Sequence, residues 1–289
     1  MRDVSERQGG GGTLFVVATP IGNLGDMTER ALETLRVCDR VLAEDTRRTR
    51  HLLTHFGIGG KRLDRFDAHA SERDVARAVE MLGAGERVAL VTDAGTPGVS
   101  DPAEALVEAA IDAGARVVPI PGASAVLAAL VASGLAADGR FRFVGFLPRE
   151  GRERRASIAL VCETPEAVVL FESPNRTGAT LRELADATPE RRVCVARELT
   201  KLHEELVRGT LADVAGDPRE WLGEIAIVLG VHAPEERDAR LDDAAVDARI
   251  DEALARGEHL RTIAERLAAW SGRPKRELYA RVVSRKKRE

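Results

Sequence analysis

A strand-like apolar run, Val88-Ala89-Leu90-Val91, leads straight into Thr92-Asp93-Ala94-Gly95-Thr96-Pro97-Gly98-Val99-Ser100-Asp101. The Gly/Pro turn leaves one carboxylate, Asp93, at the carboxyl end of the run, where ligands of open α/β sheets bind. Glycine lets a backbone approach a bound molecule that a side chain would hold off. A plain strand-to-helix connection explains the glycines alone; with an acid and two threonines in the same turn, a ligand site is the better reading. A second turn, Pro121-Gly122-Ala123-Ser124, leads into an apolar helix around 125–131 and offers a similar small-residue entry. Other chemistries lack their residues. No G-x-G-x-x-G follows the first strand, and no G-x-x-x-x-G-K-[ST] occurs, so neither common phosphate cradle is present. No Ser-His-Asp arrangement or metal cluster stands out. His51 and His55 lie four apart on one helix and read as a surface pair without a further ligand set.

The elements that must position these turns alternate short apolar runs with amphipathic helices from Thr13 to about Ser133, the pattern of a mostly parallel sheet. Strands are expected at 14–18, 40–43, 87–91 and 116–120. Asp26 with Glu29 has the spacing of a capping box, Ser71 opens another helix, and Gly114 suits a helix C′ position. Asp101-Pro102-Ala103-Glu104 supplies an N-cap acid, a proline at N1 and a Glu at N3. Residues 134–139 read as a linker. A second block to about His232 has strands expected at 141–147, 167–171, 192–196, 205–209 and 224–229. Two late strands follow with little helix between them, which predicts a mixed sheet. Residues 235–247 are acid-rich and read as a linker. A small helical unit follows, with Leu260, Ile263, Ala264 and Leu267 at helix spacing. Ser271-Gly272-Arg273-Pro274 then turns into a second, basic helix, which has the outline of a helix-turn-helix. The expected organisation is a disordered tail (1–12), an α/β domain (13–133), a second α/β domain (140–233) and a helical unit (245–289).

Composition narrows the classes. The chain has 289 residues and a net charge of −4, room for two domains and a sizeable core. No stretch approaches the roughly 20 apolar residues of a membrane-spanning helix, and the start has no apolar signal-peptide core. Three scattered cysteines fit a reducing, cytoplasmic compartment and imply neither disulfide nor zinc. Residues 271–289 hold eight cations against two acids, with smaller clusters at Arg47-Arg48-Arg50 and Arg149-Arg152-Arg154-Arg155. Three clusters on an otherwise acidic chain point to a polyanionic partner. At 3% aromatics, a base-stacking platform of the single-strand-binding type is not expected.

The segments VVATPIGNL (16–24), AEDTRRT (43–49), TDAGTPGVSDP (92–102), PGASA (121–125), LFESPNR (170–176), ARELTKLHEE (196–205) and RGTL (208–211) occur in that order. Together they resemble the tetrapyrrole methylase superfamily of S-adenosylmethionine-dependent enzymes, over roughly residues 13–231 and the helical tail. The likeness is greatest to the branch that methylates ribose in ribosomal RNA. It implies two α/β domains with S-adenosyl-L-methionine in the cleft between them, usually in a homodimer. It further implies 2′-O-methylation of a cytidine in small-subunit ribosomal RNA, free or in the subunit. By motif, Pro20, Asp93, Ala94, Gly95, Ser124 and Ala125 are expected to line the cofactor from the first domain, and Phe171, Glu172 and Ala226 from the second. The chain has Asp67-Ala68-His69-Ala70 where the family often shows His-Glu-His-Asn, and Asn175 where His is common.

In such a reaction the sulfonium carries the hard chemistry, and the protein aligns acceptor oxygen, methyl carbon and sulfur. A ribose hydroxyl is a poor nucleophile, so a proton acceptor would help. Glu44, Asp45, Glu198 and Lys201 are the candidates, Lys201 only if burial or charge lowers its pKa. Each also has a structural reading: Asp45 can cap the helix from Thr46, and Glu198 can pair with Arg197. Arg47 and Arg48, with Arg273, Lys275, Arg276 and Arg281 of the tail, are expected to meet RNA phosphates. Two other readings stay open. One is a tetrapyrrole carbon or a modified protein residue as acceptor. The other is a noncatalytic nucleic-acid-binding regulator, which leaves the glycine turns without purpose.

Overall fold

In the computed structural model, residues 11–99, 103–136, 139–232, 243–271 and 273–286 are described. The chain divides into two compact units, one reaching Val231 and one starting at His232.

The larger unit holds two five-stranded sheets. The first is built from β1 (Thr13–Val17), β2 (Arg40–Ala43), β3 (Arg62–Arg65), β4 (Arg87–Val91) and β5 (Arg116–Ile120), in the order β3-β2-β4-β1-β5. All its pairings are parallel. Parallel sheets are covered on both faces, and alternate residues here feed two separate cores. Phe15, Val17, Val41 and Val91 join one, against α1 (Glu29–Val37) and α2 (Thr46–His55). Leu14, Leu42, Val88 and Leu90 join the other, against α3 (Glu72–Gly83) and α4 (Ala103–Asp112). The chain leaves β1 toward β2 and β3, returns to β4 beside β1, then adds β5 on the far side. The strand order therefore reverses around β1 and β4, where crevices open.

The second sheet runs β6-β7-β10-β8-β9, from β6 (Phe141–Phe146), β7 (Ala167–Glu172), β8 (Arg192–Arg197), β9 (Glu205–Thr210) and β10 (Ile225–Leu229). Only β6–β7 is parallel, so the sheet is mixed as expected. One face packs on α6 (Gly151–Glu163), α7 (Pro174–Ala187) and α8 (Leu211–Gly216). The other receives α5 (Ala125–Ser133), whose Val126, Ala129 and Leu130 join Val169, Cys194, Ala226 and Val228. Helix α5 leaves the first sheet after β5 and is buried on the second, which brings the two sheets' loops together.

Several local expectations change. Strand β3 went unread because its sequence, Arg-Leu-Asp-Arg, is that of an exposed edge. Helix α1 is capped by Thr28, whose hydroxyl accepts from Ala31 N–H, while Asp26 ends a short 3-10 turn capped by Asn23. Gly134, read as linker, is the left-handed C-cap of α5. Arg154, read as part of a basic cluster, is buried, with its guanidinium bonded to Glu183, Thr180 and the Pro148 carbonyl. The 1–12 tail, the Asp101-Pro102 cap and the 235–247 linker fall largely outside the described residues.

Among the described residues of the smaller unit there are three helices where two were expected: α9 (Asp243–Ala255), α10 (Leu260–Ser271) and α11 (Lys275–Lys286). Val246, Ile250, Ile263, Leu267, Leu278 and Val282 form its core. Much of its positive charge is spent internally. Arg281 bonds Asp247 at 2.6 Å, Arg285 pairs with Asp247 and Asp251, Lys275 pairs with Glu265, and Arg273 lies 3.7 Å from Glu277. Arg276 remains exposed.

Candidate active site

The loops after β1, β4 and β5 are tied to one another. Thr19 and Gly95 exchange backbone hydrogen bonds, the Thr19 hydroxyl donates to the Thr92 carbonyl, and the Thr96 hydroxyl donates to the Ala123 carbonyl. Gly95 has φ +84°, a left-handed conformation that glycine adopts without strain. At Gly122 an added Cβ would lie 2.9 Å from the Ala18 Cβ, so the β1 and β5 loops can pack this closely only with glycine there.

These loops and the ends of β7, β8 and β10 enclose a cleft of about 540 Å³, within the range of about 300–1,000 Å³ usual for ligand sites. Of the nine residues expected at a cofactor, Asp93, Ala94, Gly95, Ser124, Ala125, Phe171, Glu172 and Ala226 line it. Pro20 lines an adjoining cavity instead. Sequence reasoning missed Ile21, Phe146, Leu199 and Glu224 of the cleft wall. Phe146 is 59% exposed and tilts against Phe171 with ring centroids 5.6 Å apart.

The acids of the cleft differ in what they hold. Glu172 has no exposed side-chain surface; its oxygens accept from Ser173 N–H, Arg176 and the Thr180 hydroxyl, and Arg154 stands 3.9 Å away. Its charge fixes the β7–α7 turn. Asp93 accepts from Asp45 N–H at 3.0 Å and pairs with Arg48 at 3.3 Å. Burial pushes its carboxyl above the usual range, against that backbone hydrogen bond and with help from nearby Glu44. Glu44 accepts through Oε2 from the Thr92 hydroxyl and Asp93 N–H.

Of the four candidate proton acceptors, only Glu44 lines the cleft. Asp45 is the N-cap of α2, and hydrogen bonds from Arg47 hold its carboxyl below the usual range. Lys201 bonds Glu198 at 2.8 Å and Glu224 at 3.1 Å. Burial alone would lower the Lys201 pKa, but those two carboxylates together raise it. Its ammonium in turn lowers Glu198, which also accepts from Glu224 N–H. Both directions run away from what a base requires. The pair shapes the backbone instead. Glu198 and Thr200 hold positive φ, and Lys201 packs where any Cβ on Gly22 would clash at 2.4 Å. Arg48 is exposed and lines the cleft, Arg47 is exposed and pairs with Asp45, and His69 lies in an exposed loop with its backbone N–H donating to Asp67.

The profile of the Tetrapyrrole (Corrin/Porphyrin) Methylases matches residues 13–215. The chain belongs to this family. It is 42% identical over 271 residues to "Ribosomal RNA small subunit methyltransferase I" of Synechocystis sp., covering 93% of this chain and 96% of that protein. It is 36% identical to the protein of the same name from Bacillus subtilis, with 93% of each chain covered. Among solved structures, the methyltransferase CobJ superposes with a TM-score of 0.59 at 22% identity, covering 77% of this chain and 95% of that one. Uroporphyrin-III C-methyl transferase from Thermus thermophilus, complexed with S-adenosyl homocysteine, gives 0.54 at 20% identity, covering 76% and 97%. Both structures share its fold.

The protein is thus a methyltransferase that uses S-adenosylmethionine. The lining fits a cationic molecule with apolar parts: Glu44, Asp93 and Glu224 bring acidic side chains to the cleft, and Ile21, Val126 and Phe171 give apolar walls. Among the described residues no cluster of His, Cys, Asp or Glu could hold a metal, and no helix is long and apolar enough to cross a membrane.

Proposed function

We propose that the protein methylates small-subunit ribosomal RNA, and that its acceptor is the 2′-oxygen of a cytidine ribose. The observation that carries this reading is the likeness, at 36–42% identity and along more than nine-tenths of each chain, to proteins named for small-subunit ribosomal RNA methylation. It extends well beyond residue 215, where the family profile ends.

S-adenosylmethionine supplies an activated methyl group, so the protein's work is placement. Asp93, Ala94, Gly95, Ser124 and Ala125 hold the cofactor from the first sheet, with Phe171 and Ala226 opposite. Glu172 keeps the β7–α7 turn in shape, and Pro20 borders the adjoining space. Glu44 is the candidate placed to take the ribose proton, held in position by Thr92 and Asp93. Arg47 and Arg48 on α2 meet phosphates, and the helical unit adds Arg276, while Arg273, Lys275 and Arg281 are engaged by Glu277, Glu265 and Asp247. A homodimer acting in the cytoplasm belongs to the same reading; Leu127 and Val131, one turn apart on α5 and 53% and 76% exposed, give a second copy apolar surface to cover.

Mapping ribose methylation on ribosomal RNA from cells lacking the protein tests this. One cytidine of the small subunit should lose its 2′-O-methyl group and regain it on complementation. An unchanged map would overturn the assignment.

A further inference from the structure

A second cavity, of about 490 Å³, adjoins the cofactor cleft. Ile21, Thr92, Asp93, Ala94, Arg48 and Glu224 line both, so the two adjoin along these residues. The second is walled by one face of α2 and by the loop after β1. Arg48, His51, Leu52 and His55 recur on α2 at helix spacing, and Pro20 and Leu24 face in from the loop. Both histidines are exposed, and neither has a part in the cofactor cleft.

An acceptor oxygen must approach the methyl carbon from the side opposite sulfur. Its ribose therefore needs a compartment next to the cofactor's, and the second cavity adjoins it along six shared residues. Its chemistry is that of a nucleotide site. Imidazole and guanidinium planes stack on bases as aromatic rings do, apolar Leu24 and Leu52 suit a base face, and a guanidinium at the rim suits a phosphate. In a chain with 3% aromatics, the two histidines add planar groups at this cavity. The volume is enough for one nucleotide, and a nucleotide that is unpaired or swung out can enter such a recess.

We propose that this cavity is the acceptor subsite, that it takes a single unpaired nucleotide of RNA, and that His51 and His55 hold the base while Arg48 meets a neighbouring phosphate. This rests on the RNA-methylation reading above and assigns the residues that receive the substrate.

The test uses the whole chain with His51 and His55 replaced by alanine, singly and together, and by phenylalanine. Both positions are exposed on a helix, and alanine is a good helix former, so the fold should survive. Three quantities are measured. They are S-adenosylmethionine affinity by calorimetry, binding of a fluorescein-labelled single-stranded fragment of small-subunit ribosomal RNA against its duplex with S-adenosylhomocysteine present, and KM and kcat for methyl transfer. The double alanine variant should keep cofactor affinity within about twofold and lose about tenfold or more in affinity for the single strand, with KM rising in parallel. Phenylalanine should restore most of that loss, and the duplex should bind more weakly than the single strand. A double alanine variant that binds and methylates RNA like the parent would overturn the proposal and leave the methylation reading standing. So would phenylalanine variants as impaired as the alanine ones. A parent protein that neither binds nor methylates ribosomal RNA would overturn both.

Discussion

Thr19 and Gly95 exchange both backbone hydrogen bonds, at 2.9 and 3.0 Å, although neither residue belongs to a strand. The bridge is antiparallel, lies beyond the carboxyl ends of the parallel pair β1 and β4, and ties their loops together at the cleft. Its geometry depends on Gly95 at φ +84°. Replacing it by alanine forces a side chain into the left-handed region, at about 1–2 kcal/mol, with the new Cβ 3.4 Å from the Ile21 Cγ2. Gly95→Ala should lower the thermal midpoint by a few degrees and weaken S-adenosylmethionine binding disproportionately. Equal cofactor affinity in calorimetry would show that the cleft does not depend on this turn.

Asp93 carries a cost that pH can reveal. Its folded pKa is raised, chiefly by burial, so the native state binds its proton more tightly than the unfolded chain does. Stability from this group is therefore gained as pH falls through the folded value, and the ionised form is a penalty at neutral pH. Asp93→Asn should stabilise the protein slightly at pH 7, by up to about 1 kcal/mol, with the difference vanishing in acid. The same change should weaken cofactor binding by removing the carboxylate. Denaturant titrations at pH 4 and pH 7 check the sign; an advantage for asparagine that grew on acidification would refute it.

Glu172 and Arg154 are both nearly sealed from solvent, with side chains 0% and 9% exposed. Glu172→Ala strips the carboxylate that Arg176, Thr180 and Ser173 all address. It leaves Arg154 with Glu183 alone as its charged partner among the described residues. The loss should be about 3 kcal/mol in chemical denaturation. A change below about 0.5 kcal/mol would mean the network is no stronger than an exposed pair.

The three thiols give an independent check on the cores. Cys38, Cys162 and Cys194 are 3%, 7% and 0% exposed, and burial pushes Cys38 up to about 11. Since the thiolate is the reactive form, an aromatic disulfide reagent should find no thiol in native protein at pH 8 and three after denaturation. Rapid labelling of any one would place it at the surface.

What the sequence shows of this fold, and what it hides, has a physical cause. Strands β2 and β4 were placed to the residue because strands buried on both faces are continuous apolar runs, the edge strand β5 because Val117, Val118 and Ile120 keep its run apolar, and β3 escaped because Arg62 and Asp64 carry an edge's polarity. Asp93 and Gly95 were legible since a turn at a strand's carboxyl end is a local feature. Phe146, Leu199 and Glu224 were not: each sits in a segment ordinary by itself and joins the cleft only because α5 is buried on the second sheet. Charge misled for a related reason. Sequence counts cations without their partners, and Arg154 and Arg281 turn out to be engaged by Glu183 and Asp247.

That distinction separates the roles of two arginines on α11. Arg281 leans on Asp247 of α9, with both side chains about a quarter exposed, so Arg281→Ala should destabilise the helical unit by about 0.5–1 kcal/mol. Arg276 is exposed on the same helix, in register with Tyr279 three residues on, which is 43% exposed. If the unit contacts RNA phosphates, Arg276→Ala should leave the thermal midpoint unchanged, weaken RNA binding severalfold for any sequence, and reduce the salt dependence by about one counterion. Binding isotherms between low and moderate salt would show it. An unaltered slope for Arg276→Ala would remove this face of α11 from the RNA contact, and a reduced slope for Arg281→Ala would mean that its bond to Asp247 opens when RNA binds.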